Sequence, residues 1–115
     1  MAGGVIPCIR LWTGPDGRSH VERTTLPLEA AQPAQDVRIA ESPPGSALDW
    51  HVAPHRQIVI TLSGVLEFVT RDGETFRLGP GDLLLAEDTA GSGHRWRTEG
   101  SSYPWRRVYV RLGVG

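Results

Sequence analysis

The apolar residues of this chain come in runs too short to make helices of ordinary length. Gln57 to Leu62, Val65 to Thr70, Asp82 to Ala86 and Val108 to Leu112 are each five or six residues long, largely apolar and bounded by Gly, Pro, Asp or Ser. Runs of that length match strands. Turns at Gly14-Pro15-Asp16-Gly17, Ser63-Gly64, Asp72-Gly73 and Gly79-Pro80-Gly81 carry the glycines whose positive φ tight hairpins need. The pattern predicts an all-β sandwich or barrel with consecutive strands hairpin-linked and antiparallel. The one stretch with helical character, Leu26 to Gln35, is interrupted by Pro27 and Pro33 and reads as a loop or a single turn.

Size and charge narrow the function. A chain of 115 residues, 39% of them hydrophobic, buries one core, so residues 1–115 are expected to form a single domain. A net charge of -1 argues against nucleic acid, whose phosphates call for a clustered basic surplus. No run approaches the ~20 apolar residues that span a bilayer, and the start, Met1-Ala2-Gly3-Gly4, lacks the charged and apolar regions of a secretion signal. The expectation is a cytoplasmic protein without a membrane partner. Cys8 is the only cysteine and, between Pro7 and Ile9, reads as a buried, inert thiol. All 12 basic residues are arginine, so lysine Schiff-base chemistry is excluded and the guanidinium is the cation available to an anionic substrate.

Two motifs carry the chemistry. The first runs from Gly45 through His51, Ala53, Pro54, His55 and Gln57 to Gly64. It resembles the first signature of the cupin family, G-x-x-x-x-x-H-x-H-x-x-x-E-x-x-x-x-x-x-G, with both glycines, the first histidine and the spacing kept. Ala53 stands where the family has its second histidine, and Gln57 where it has glutamate. The second motif, Gly81 to Thr98, resembles the family's G-x-x-x-x-x-P-x-G-x-x-H-x-x-x-N. Glu87 replaces the proline, Thr89 the glycine and Thr98 the asparagine. His94 aligns if the glycine-rich Ala90-Gly91-Ser92-Gly93 loop holds two extra residues. The resemblance covers residues 45–98, with residues 1–44 supplying N-terminal strands and a loop. It implies an antiparallel double-stranded β-helix, or jelly-roll barrel, with a metal held inside it.

Geometry limits how His51 and Gln57 relate. Six residues of continuous strand span about 20 Å, whereas metal ligands lie within ~2 Å of the ion. The chain must therefore turn between them, and Ala53-Pro54 supplies the break, expected to set His51 and Gln57 side by side across a sheet. Strand alternation then puts Gln57, Val59 and Thr61 on one face and Ile58 and Ile60 on the other.

The resemblance implies a divalent metal (zinc, manganese, iron or nickel) at His51, Gln57 and His94. The two histidines otherwise read as partly buried rings bonded to backbone, and Gln57 as a bridge between strands. His55, Glu87 and Asp88 are the candidates for moving a proton, although His55 also reads as a loop residue and the acidic pair as a polar turn. Trp50, Arg56, Val59 and Trp96 are the candidate substrate-binding residues, with Arg95 a second arginine beside a motif. Trp12 and Trp105 read as core or interface, and His20 as surface. A neutral amide in place of the carboxylate leaves a metal more positive, which favours Lewis-acid isomerase, lyase or cyclase chemistry on a small molecule. A metal-dependent dioxygenase and a non-catalytic binding barrel with a degenerate metal site are the alternatives. A homodimer is expected, covering an apolar outer face at Ile58 and Ile60, with Val5 to Trp12 crossing between subunits.

Overall fold

A computed structural model describes residues 4–100 and 102–113; Met1 to Gly3, where no secretion signal was read, lie outside it. Ten strands are present: β1 (Val5–Thr13), β2 (Ser19–Pro27), β3 (Ala34–Ser42), β4 (Ala47–His51), β5 (Gln57–Ser63), β6 (Leu66–Thr70), β7 (Thr75–Leu78), β8 (Leu83–Glu87), β9 (His94–Thr98) and β10 (Trp105–Leu112). Leu28 to Pro33 is a loop, but the ends of the stretch read as one are strand: Leu26 and Pro27 close β2, and Ala34 and Gln35 open β3.

The strands form a six-stranded sheet, ordered β2-β1-β8-β5-β10-β3, facing a four-stranded sheet, ordered β4-β9-β6-β7. Hairpins join β1 to β2 and β6 to β7, as the glycine turns predict. Elsewhere the expectation of hairpin-linked neighbours fails. The middle of the large sheet pairs β5 with β8 and β10, and β1 runs parallel to β8. The segment read as crossing to a second subunit is thus an interior strand of its own sheet.

Between the sheets, Leu11, Leu66, Phe68, Phe76, Leu78, Leu84, Trp96 and Trp105 make the main core. Strand alternation settles which side chains enter it. On β5, Val59 joins this core and Thr61 accepts a hydrogen bond from Trp105 Nε1 at 3.2 Å. Ile58 turns outward into a second cluster with Cys8, Leu85 and Leu112, against which Ile60 packs. The apolar outer face is therefore real, and Cys8 is buried in it. Burial raises its thiol pKa, which keeps it protonated and unreactive. Gly64 (φ 83°) ends β5 where an added methyl group would press on Pro104 carbonyl oxygen at 3.0 Å.

Candidate functional site

His51, the last residue of β4, pairs with His94, the first of β9, and their ring centroids are 4.4 Å apart. His51 Nδ1 bonds the Asp49 carbonyl at 2.7 Å. A carbonyl only accepts, so Nδ1 carries the proton and Nε2 a lone pair. His94 Nδ1 bonds Asp88 Oδ2 at 2.6 Å, the carboxylate–histidine arrangement that orients an imidazole toward a cation at its other nitrogen. Asp88 is fully buried; Oδ2 also accepts from Ser19 Oγ at 2.6 Å, and Oδ1 has no partner among the described residues. Burial is the main cause that lowers the His51 pKa, and neighbouring His94 adds to it against the Asp49 bond and the Asp88 charge. His51 is thus held in the neutral form that can donate a lone pair.

Both histidines line a cavity of about 370 Å³ at one end of the barrel, together with Ala53, Gln57, Val59 and Trp96. Gln57 does not lie beside His51 in one sheet, as the sequence suggested. It pairs with Ala86 and Arg111 in the large sheet while His51 belongs to the small one. The turn at Ala53-Pro54 carries the chain from one sheet to the other, so the two side chains approach the cavity from opposite walls. The first half of the strand-alternation reading holds, since Gln57 and Val59 face inward together. Thr98, where the family has asparagine, ties the motifs together: its hydroxyl accepts from Gly45 N at 2.8 Å and donates to the Ser46 carbonyl at 3.2 Å.

Several expected site residues are elsewhere. His55 is exposed in the turn before β5. Glu87 points to the outer side of the large sheet, because Leu84 and Ala86 take the inward positions of β8. There its carboxylate pairs with Arg10 at 2.6 Å and with Arg56. Arg56 is thereby held outside the cavity too. Trp50 also faces away, with the Arg71 guanidinium 3.9 Å and the Arg95 guanidinium 5.1 Å from its ring. Asp88, next to Glu87, is inside the protein but closed off behind His94.

Partial burial raises the Glu87 pKa, but the bonds from Arg10 and Arg56 outweigh it and hold the carboxyl below the ordinary glutamate range. A depressed folded-state pKa adds stability above the unfolded pKa and loses it as pH falls through the folded one. Glu87→Gln is expected to cost about 1 kcal/mol at pH 7, discounted for the exposure of both arginines. Urea unfolding at a series of pH values should show the deficit shrinking below the carboxylate range; a constant deficit would mean that shape rather than charge is at stake.

The sequence reading missed Arg38 of β3 and Trp105, Arg107 and Tyr109 of β10, which line the cavity from the large sheet, and Phe68 of β6, which lines it from the small one. The signal was the alternation Trp105-Arg107-Tyr109 in β10, obscured by starting that strand at Val108. Among the described residues, the one cluster of three His, Cys, Asp or Glu ligand atoms within 4.8 Å of one another is Asp16 and His20 of the β1–β2 hairpin with Asp72 of the β6–β7 turn. Arg18 already pairs with Asp72 there.

A jelly roll whose mouth opens on a cavity lined by side chains from both sheets belongs to the ligand-holding class of β-barrels. This chain belongs to the cupin family, the cupin-domain model matching residues 38–110. No curated protein sequence matches it. Similar solved structures include a conserved protein of unknown function from Streptococcus pyogenes, at 22% identity over 70% of this chain and 68% of that one, TM-score 0.47. A cupin domain from Bordetella pertussis is 17% identical over 99% of this chain and 98% of that one, TM-score 0.48. Among the described residues no helix is long and apolar enough to cross a membrane.

Proposed function

We propose that this cupin binds a small organic molecule beside a divalent cation held by His51 and His94, with the Gln57 amide oxygen as a third, weaker donor. The observation that carries the reading is the pair of imidazoles 4.4 Å apart whose Nδ1 atoms are both engaged, leaving both Nε2 atoms for a ligand. Asp88 supports it. A fully buried carboxylate with an unpartnered oxygen and only histidine beside it lacks positive charge, which a cation on His94 would supply. Zinc, manganese, iron and nickel all suit nitrogen and oxygen donors. A bound cation would act as a Lewis acid on a carbonyl or hydroxyl oxygen.

Calorimetric titration with zinc and manganese tests the site. His51→Ala is expected to abolish binding, and Gln57→Glu to tighten it at least about tenfold by restoring a charge. Equal affinity in all three proteins would make any bound metal adventitious.

Isomerase, lyase or cyclase chemistry also needs a proton carrier. Of the cavity's groups, Tyr109 is suited to that work once the imidazoles hold a cation, since His55 and Glu87 lie outside. That same displacement favours a second reading, a binding barrel without catalysis. Elemental analysis of protein purified without chelator separates the two, and oxygen consumption in the presence of iron would point to dioxygenase chemistry instead.

A homodimer accords with edge strand β3, where Val37 and Ile39 are 62% and 74% exposed, whereas Ile58, expected to need a subunit's cover, is already buried within its own chain. Light scattering is expected to give twice 12.6 kDa. A monomer at micromolar concentration would remove the dimer from the reading.

A further inference from the structure

Arg107 is the only arginine among the described residues that is buried, and no acid accompanies it. Its side chain is 7% exposed, yet no carboxylate oxygen of the described residues lies within 4.0 Å of it or of Arg38. Its bonds go to neutral acceptors: Nε to the Tyr109 hydroxyl at 3.0 Å, and Nη1 to Ser42 Oγ at 2.8 Å and the Trp105 carbonyl at 3.0 Å. Nη2 is left without a partner among the described residues. The guanidinium is stacked 3.9 Å from the Trp105 ring centroid, which fixes the direction of its fork. Tyr109 Oη accepts from Nε, so its own proton is free to donate. Arg38 lies 4.4 Å from the Tyr109 ring and lines the same cavity.

A buried cation without a counter-charge is costly, and a ligand that brings the charge recovers that cost on binding. We infer that the cavity takes a small carboxylic acid whose carboxylate meets Arg107 Nη2 and the Tyr109 hydroxyl, its apolar body lying along Trp105, Phe68 and Trp96. The inference rests on the cavity being a ligand site and adds the class of ligand. Planarity favours a carboxylate over phosphate. The guanidinium is a flat fork already stacked on an aromatic ring, and the walls beside it are apolar rings that suit an unsaturated or aromatic acid. A cavity of about 370 Å³ holds a molecule of benzoate size with room beside the two imidazoles.

Because Arg107 is built into the core, the decisive contrast uses the unaltered chain. Tryptophan fluorescence is followed with benzoate, with its neutral analogue benzamide and with inorganic phosphate, each in chelator and again with zinc. Benzoate is expected to saturate the signal and benzamide to bind at least about tenfold more weakly, the loss of one charge-assisted contact. Arg38→Gln, at an exposed position, should weaken benzoate about threefold and leave benzamide unchanged. Benzamide equal to benzoate, phosphate displacing benzoate at equal affinity, or no saturation by benzoate up to about 10 mM would each overturn the inference. His51→Ala separates this from the metal reading, since it should lose zinc and keep the preference for benzoate. If the metal reading fails, that preference survives in chelator; if the carboxylate inference fails, zinc binding is untouched.

Discussion

Gly93→Ala is expected to be among the most damaging single-methyl changes in this protein. Gly93 sits one residue before His94 at φ 73°, a conformation that costs an alanine about 1–2 kcal/mol by itself. The added carbon would also fall inside contact distance of the His51 carbonyl oxygen and carbon, which are backbone atoms of the facing strand. Neither can move without parting β4 from β9 at the point where His51 and His94 are paired. The combined loss should exceed about 3 kcal/mol. Zinc affinity should fall with it, because the two rings lose their common position. Thermal unfolding and zinc titration of the variant check both parts. A variant that keeps wild-type stability would mean that the close approach of the two strands relaxes freely.

Asp88→Ala is expected to come next, at about 3 kcal/mol. It removes the acceptor for two buried donors at once, Ser19 Oγ and His94 Nδ1, and leaves both without water. Asp88→Asn separates the structural from the positioning role. It keeps the volume and one acceptor, so it should cost less stability while still lowering metal affinity 10- to 100-fold, roughly the loss seen when a ligand's partner is changed. Denaturant unfolding and zinc calorimetry on both variants give the two numbers. Unchanged metal affinity in the Asn variant would make Asp88 a packing residue only.

How far the sequence could be read depended on the range of the interactions concerned. The strands around Gln57, Leu66 and Leu83 were legible because their cues are local: short apolar runs flanked by glycine- or aspartate-bearing turns. So was the inward set of Gln57 and Val59, which strand periodicity alone dictates. The strand order was not, because β1 beside β8 and β10 beside β3 join segments with no local signal between them. The same limit split the site. His51 and His94 came from motif spacing. Glu87 and Asp88 could not be told apart, since adjacent strand residues face opposite ways and one residue of register decides which is inside. Trp50 and Arg56 were drawn in by nearness in sequence to His51 and Gln57, and as the immediate neighbours of those inward residues they face the other way. Arg107 went unread because its alternation with Trp105 and Tyr109 was lost when the strand was started at Val108, and because its shielding also depends on distant Ser42.

The interleaving of the large sheet sets when the cavity can exist. Its strand β5, which supplies Gln57, lies between β8 and β10, and β1 waits for β8 to acquire its second neighbour. A chain emerging from the ribosome cannot therefore complete this sheet strand by strand, and the cavity wall carrying Arg107 is the last of the ten described strands in chain order. Such non-local pairing places folding in the range of roughly milliseconds to seconds. Until β10 docks, the flanks of β5 and β3 are open edges, so a ligand or ion that recognises the cavity can act only on the finished barrel.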